Sequence, residues 1–538
     1  MKSLPTGAQR RRRLVTRTLP LSIVALVAFV LGASAGTPGS PEKEAAERFV
    51  AAWERDDFAA MYRVLNAASR RSTGAAEFAA AYGTAAGVAT LREVEAGSPR
   101  DPVDSDGTTL IAVPVEATTL AFGTVVLDLD LPFADGGIVW QPHLVFPGLA
   151  PGEHLENELD FAPRAQVLAG DGSPLAEEPG GPREHLEEAF DARLAGRPGG
   201  SLLAVADAGG SARILAQAEP RPGAPVKTTI EPGLQAAAAA SLGGRAGGVA
   251  VLDARNGDVR ALAGQAFSAP QPPGSIFKVI TTAAALQEDA VSLEDSFEIS
   301  DGIDVGGRFI SNANGELCGG TFREAFAHSC NAVFAPLGPA VGNENLVAAA
   351  ERFGFNAPPK LYARRVVERV EPAESTLPEE IGDELDLGVS AIGQGEVLAT
   401  PLLMASVAQT VAAGGVRAPT SIVANPKLRP EAEPVRVMSR RIANVLGELM
   451  VGVVTEGTGF AAAIPEAQVA GKTGTAELGP VPGQEDAEEP EQIKDAWFIA
   501  FAPAQKPRLA VGVMLIEAEA AGGEVAAPIA AEVLAAGI

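Results

Sequence analysis

Cysteine and histidine are nearly missing from this chain. Two cysteines and four histidines occur among its 538 residues, with no C-x-x-C and no H-x-x-x-H, so the usual zinc-binding patterns are excluded and no metal or cofactor is implied. Positive charge is also short: 42 Lys and Arg stand against 68 Asp and Glu, a net charge of −26. That balance argues against a general nucleic-acid binder, whose phosphate contacts need clustered cations. The 59 Gly and 41 Pro follow no period, which excludes collagen and repeat arrays. Apolar residues, by contrast, make up 46% of the chain with a mean hydropathy of +0.13. Buried cores are therefore within reach and wholesale disorder is excluded. At roughly 100–200 residues per domain, the length implies about two to four domains.

One uncharged run stands out, from Leu19 to Ala35, preceded by Lys2, Arg10, Arg11, Arg12, Arg13 and Arg17. The basic flank holds that end in the cytoplasm and sends the rest outside. We read residues 1–18 as a cytoplasmic segment and 19–36 as an uncleaved membrane anchor. The alternative is a signal peptide removed after the small residues of Ala33-Ser34-Ala35. The exported part, at about −32, would be repelled by anionic lipid headgroups. Outside the cytoplasm Cys318 and Cys330 form either a disulfide closing a small loop or two unpaired buried thiols.

Ser40-Pro41 opens a helix, with Ser as the cap and Pro at the first position. Two or three helices on a curved antiparallel sheet are expected for residues 40–150, where no catalytic pairing stands out. The Gly-, Pro- and acid-rich stretch 151–225 reads as a linker or pedestal module. The largest domain, 226–538, starts with a hairpin through Asn256-Gly257 and ends with strands around KTGTAEL, AWFIAFAP and LAVGVMLI. A helix from Glu524, interrupted or kinked by Pro528, follows. Strands at both ends with helices between suggest an α+β fold: an antiparallel sheet flanked by helices, with a helical subdomain in the middle.

The chemistry sits in this last domain. Ser275-Ile-Phe-Lys278 precedes a good helix, and positions three apart share a helix face. The lysine is thus aimed at the serine hydroxyl, which is a poor nucleophile until a base such as a desolvated, neutral lysine takes its proton. Free N–H groups at a helix start suit a developing oxyanion. Alone, S-x-x-K is weak, and Ser40-Pro41-Glu42-Lys43 shows the same letters as a helix cap. Ser275 has company, however. Ser329-Cys330-Asn331 is the only S-x-N and Lys472-Thr473-Gly474 the only K-T-G in a chain with nine lysines. A cation and hydroxyls on an edge strand suit an anionic, extended peptide, which such a strand can add as a further strand. Gln394 and Gly395 belong either near this site or to an ordinary loop turn. His328, the one histidine a Ser-His-Asp triad here would need, reads as structural.

With these motifs in this order, residues 226–538 resemble the class B penicillin-binding proteins, monofunctional D,D-transpeptidases of peptidoglycan synthesis. TTIEPGLQAAA (228–238), AIGQGEVLATPL (391–402) and DAWFIAFAP (495–503) are similar to family patches. Residues 40–150, with WQPHLVFPGL (140–149), resemble the nuclear-transport-factor-like domain of methicillin-resistance-type members. The resemblance implies Ser275 as acylated nucleophile, Lys278 as its base, and Ser329 and Asn331 in proton transfer and amide binding. It implies Lys472 and Thr473 as holders of the terminal D-alanine carboxylate. Gly474 would let substrate backbone approach, and the N–H groups of Ser275 and Thr475 would form the oxyanion hole. It also implies β-lactams as covalent inhibitors and a separate glycan polymerase as partner, since no glycosyltransferase domain fits before residue 226.

Four rivals share parts of this machinery. A β-lactamase needs a deacylating carboxylate, usually in E-x-x-L-N, and none is present. A D,D-carboxypeptidase uses the same residues with water as acceptor and is not separable by sequence. A β-lactam-binding sensor normally has several membrane segments, and an inactive scaffold should have lost a motif residue.

Overall fold

A computed structural model describes residues 40–105, 108–178, 180–210, 212–363, 372–480 and 492–538. The expected anchor at 19–36 and the basic segment before it lie outside the described residues. Among the described residues no helix is long and apolar enough to cross a membrane. The chain divides into two compact units, Met1–Ala162 with Arg197–Arg221, and Pro163–Gly196 with Pro222–Ile538. The stretch 151–225 is thereby shared between the two.

In the first unit, α1 (Pro41–Trp53), α2 (Phe58–Val64), α3 (Ala67–Ser72) and α4 (Ala75–Val88) precede the strands. These are four helices where two or three were expected. The extra breaks come from local caps: Asp57 accepts from the amide of Ala60 and Asn66 from that of Ser69, so each ends one helix and starts the next. β1 (Leu91–Ala96), β2 (Val103–Ser105), β3 (Thr108–Thr119), β4 (Thr124–Ala134) and β5 (Gly137–Ile138) form one antiparallel sheet in the order β1-β3-β4-β5, with β2 added on β3. Ile111, Val113, Val115 and Ala117 alternate inward along β3, as a half-buried strand requires. Ile111, Val113 and Val115 meet Phe49, Trp53, Phe78 and Tyr82 from the helices, and the Tyr82 hydroxyl donates to the Leu144 carbonyl at 3.0 Å. β6 (Glu153–Asp160), β7 (Gly199–Ala206) and β8 (Arg213–Ala218) form a separate three-stranded sheet in this unit.

The second unit is built on a five-stranded antiparallel sheet. Its strands are β9 (Gly247–Asp253), β10 (Val259–Gly264), β11 (Ala470–Pro480), β12 (Gln492–Ala502) and β13 (Leu509–Leu515), in the order β10-β9-β13-β12-β11. β9 and β10 are the hairpin through Asn256-Gly257, with Gly257 at φ 74°. β12 shows how both faces are covered. Trp497, Ile499 and Phe501 enter one core, and Ala496, Phe498 and Ala500 enter another on the opposite face. The first core carries α7 (Lys278–Gln287), α12 (Pro401–Ala412) and α13 (Arg440–Thr455). The second carries α6 (Pro232–Leu242) and α14 (Gly522–Ala535), while α5 (Pro182–Ala189) precedes them in the same unit. α8 (Phe322–Ala327), α9 (Asn331–Phe334), α10 (Asn343–Phe353) and α11 (Glu384–Ala391) belong to the helical segment between the two groups of strands. α14 starts two residues before Glu524 and continues through Pro528 rather than breaking there.

Candidate active site

Pro273 caps a 3-10 turn, Gly274–Phe277, which leads directly into α7. Ser275 lies in this turn, half-buried, and Lys278 is the first residue of α7, fully buried. The turn is pressed against β11 at two glycines. A Cβ on Gly474 would lie 2.7 Å from the Pro273 carbonyl oxygen and 3.0 Å from Ile276, and a Cβ on Gly274 would strike the Thr475 carbonyl. Gly274 has φ 54°, so glycine is needed there for conformation as well as space. The S-x-x-K turn and the K-T-G strand therefore touch directly. β11 is the terminal strand of its sheet.

The third motif arrives through a helix end. Thr321 and Glu324 form a capping box at the start of α8. At its end the Ser329 amide donates to the Phe326 carbonyl (3.2 Å) and the Cys330 amide to that of Ala325 (2.9 Å), which is the Schellman pattern. Ser329 occupies its left-handed position, at φ 61°, where glycine is usual. A non-glycine residue there costs about 1–2 kcal/mol. Cys330 follows at once and is joined to Cys318 by a disulfide with Cα atoms 5.5 Å apart, so the strained turn is pinned from its next residue.

Both motif lysines reach this turn. Lys278 Nζ donates to the Ser329 carbonyl (2.7 Å) and to Asn331 Oδ1 (2.7 Å), and lies 3.3 Å from Ser329 Oγ. Lys472, fully buried on β11, donates to the same Ser329 Oγ at 2.7 Å and to the Thr473 carbonyl at 3.1 Å. The amines face the rings of Phe334 and Phe326 at 5.3 and 5.8 Å. No carboxylate is hydrogen-bonded to either lysine among the described residues. Burial disfavours the charged form of each. It pushes Lys472 down to about 7. Lys278 is held well below the usual lysine range, first by burial and then by the neighbouring Lys472 charge.

The expected aim of Lys278 at Ser275 is not what its hydrogen bonds show. Ser275 Oγ makes no hydrogen bond among the described residues, and Lys278 is claimed by the fixed acceptors of the S-x-N turn. Asn331 is held in turn, donating from Nδ2 to the Ser311 carbonyl at 2.9 Å. Thr473 Oγ1 lies 2.6 Å from Thr458 Oγ1, a residue the sequence reading missed. Its signal was the Gly457-Thr458-Gly459 run ahead of K-T-G. Thr475 Oγ1 accepts from the Gly522 amide at 3.4 Å. The loop carrying Gln394 and Gly395 meets the turn through Gly393, whose carbonyl accepts from the Gly274 amide at 2.9 Å. Gln394 is half-buried and Gly395 exposed. His328 is exposed next to Ser329, its amide donates to the Glu324 carbonyl at 2.9 Å, and its ring makes no hydrogen bond among the described residues.

S-x-x-K, S-x-N and K-T-G gathered at the end of an antiparallel sheet define the class of penicillin-recognising serine enzymes. Within it, the chain belongs to the penicillin-binding protein transpeptidase family: the family's penicillin binding protein transpeptidase domain matches residues 247–535, and an NTF2-like N-terminal transpeptidase domain matches residues 41–153. It is 38% identical over 297 residues to the peptidoglycan D,D-transpeptidase PbpA of Mycobacterium tuberculosis, covering 52% of this chain and 57% of that protein. The chain thus spans a little over half the length of that curated relative. Among solved structures it is similar to penicillin-binding protein A of M. tuberculosis as its penicillin G acyl-enzyme complex, with 29% identity and a TM-score of 0.52 over 70% of this chain and 91% of that one. It is also similar to the D,D-transpeptidase domain of a peptidoglycan glycosyltransferase from Eggerthella lenta, with 27% identity and a TM-score of 0.55 over 69% and 97%.

Proposed function

We propose that this chain is a peptidoglycan D,D-transpeptidase that works through an acyl-enzyme on Ser275 and is acylated there by β-lactams. The observation that carries the reading is the pair of buried lysines meeting at one serine hydroxyl. A neutral Lys278 has two N–H donors, and the Ser329 carbonyl and Asn331 Oδ1 take both at 2.7 Å. Its lone pair is then left to accept a proton, which is the state a base for Ser275 needs.

In this reading Ser275 Oγ attacks the carbonyl carbon of the penultimate D-alanine while its proton passes to Lys278. The N–H groups of Ser275 and Thr475 receive the developing oxyanion. The bond to the terminal D-alanine nitrogen breaks, and the proton returns to that leaving amine through the Ser329 hydroxyl. An acceptor amine from a second stem peptide then attacks the acyl-enzyme and gives its proton to the same base. The bond from the acyl carbon to Ser275 Oγ breaks, and Lys278 passes that proton to the departing Ser275 oxygen. Lys472 and Thr473 hold the terminal carboxylate. An anion arriving beside Lys472 favours its charged form, so substrate binding restores the ammonium that burial weakens. Gly474 leaves room for an extended peptide against the edge of β11, and the loop of Gln394 and Gly395 borders the acyl pocket.

The apolar run at 19–36 and its basic flank support a single-pass anchor with the enzyme outside the cytoplasm. A separate glycan polymerase would supply the strands to be cross-linked. The test is incubation of the purified full chain with a D-Ala-D-Ala stem-peptide mimic and an amine acceptor. Release of D-alanine with formation of the acceptor–peptide product is expected. D-Alanine release with water alone as acceptor would make the protein a carboxypeptidase, and no release would sink both.

A further inference from the structure

The first unit carries a feature that the transpeptidase reading does not use. Helices α1 to α3 contain six basic and six acidic residues between Pro41 and Ser72, so the segment is neutral, yet the signs are sorted in space. Arg48, Arg55, Arg63 and Arg70, from three helices and the turn after α1, all line one groove of about 640 Å³. The acids of the same helices do not line it. Two are engaged elsewhere: Asp57 accepts from the Ala60 amide at 2.9 Å and Glu54 from the Ala96 amide at 2.7 Å. The one carboxylate in the groove belongs to Asp135.

None of the four guanidiniums forms an ion pair among the described residues. Arg48 gives one N–H to the Glu44 carbonyl at 3.2 Å, and Arg70 gives N–H groups to the carbonyls of Arg63 and Leu65. These bonds fix side-chain direction and leave the other donors exposed. In a chain at −26, carboxylate partners are plentiful, so four cations gathered around a concavity without them mark a place for an anion from outside.

We propose that this groove binds a phosphate group, either on an anionic lipid headgroup or free in solution. Guanidinium forks match phosphate oxygens two at a time, and a small multivalent anion offsets a surplus of three positive charges better than a lone carboxylate does. Position favours a membrane source. Ser40 lies five residues beyond Ala35, a reach of at most about 18 Å, and the eight residues to Arg48 add about 12 Å of helix. The site adds local attraction for anionic lipid to a surface whose net charge opposes it. The proposal is independent of the acyl-enzyme.

The test uses the full chain. In neutral detergent at low ionic strength, inorganic phosphate and pyrophosphate are titrated calorimetrically. In parallel, amide exchange over residues 41–72 is compared in phosphatidylcholine nanodiscs with and without phosphatidylglycerol. Binding in solution identifies a free phosphate, and protection only with phosphatidylglycerol identifies the headgroup. Either response should weaken about tenfold or more in Arg48→Gln/Arg63→Gln and measurably in Arg55→Gln alone, with labelled-penicillin acylation reporting that the variants are folded. No response in either arm, or a response that the double variant retains in full, would overturn the proposal.

Discussion

The amines of Lys278 and Lys472, 194 residues apart in sequence, converge on the single hydroxyl of Ser329, at 3.3 and 2.7 Å. Two ammonium groups that close, both buried, are mutually unfavourable. The arrangement is stable only if at least one of them gives up its proton easily.

Acylation should therefore depend on a lysine that is neutral well below the ordinary lysine range. The second-order rate with a labelled penicillin is expected to rise with pH and level off as Lys278 deprotonates. Lys278→Ala and Lys278→Arg should both lower it by about 10²–10⁴-fold, because the arginine keeps the charge but cannot act as a base. A Lys278→Arg variant acylated at the native rate would rule out the base role.

The same burial has a cost in stability with a definite sign. The folded state holds Lys472 at about 7, while an unfolded lysine titrates near about 10.4. Between these values the unfolded chain binds the extra proton, so stability rises with pH across that window and is lowest below it. Lys472→Met should unfold at a higher temperature than the native chain at pH 7. The gap should shrink toward pH 10, at up to about 1.4 kcal/mol per pH unit. Calorimetry of both chains across that range checks it, and a gap independent of pH would show that Lys472 is charged when folded.

Ser329 separates fold from chemistry. Glycine takes its left-handed conformation without strain, so Ser329→Gly should retain the fold and gain up to about 1–2 kcal/mol of stability. It removes the hydroxyl that both lysines contact, and acylation should fall by about 10²-fold or more. Ser329→Ala should lose the same rate without the stability gain. Equal stability of the two variants would contradict the strain assigned to φ 61°.

The disulfide holds the residue next to this turn. Closing a loop of this size contributes about 3 kcal/mol, and Cys318→Ser/Cys330→Ser should lose about that much together with part of the acylation rate. Without reductant, iodoacetamide should label neither cysteine of the unfolded native chain. Labelling of both would mean that the bond does not form.

Local chemistry was legible in the sequence and long-range pairing was not. The Asn256-Gly257 hairpin, the Ser40 cap and the three motif segments are each specified by neighbouring residues. Their structural counterparts fall at those positions. By contrast, nothing near Glu153–Asp160 announces that it pairs with Gly199–Ala206, across a segment that belongs to the other unit. Helical spacing placed Lys278 beside Ser275 but could not show its protons being taken by Ser329 and Asn331, because those acceptors come from a turn 51 residues away. The left-handed Ser329 was hidden for a related reason: a Schellman end is usually recognised by its glycine, and here chemistry requires a hydroxyl instead.

Intact-mass analysis and peptide mapping after exposure to a labelled penicillin test the central claim most directly. The account requires one covalent adduct, mapped to Ser275 and missing from a folded Ser275→Ala variant. An adduct that persists in that variant, or maps to Ser329 or another residue, would contradict it.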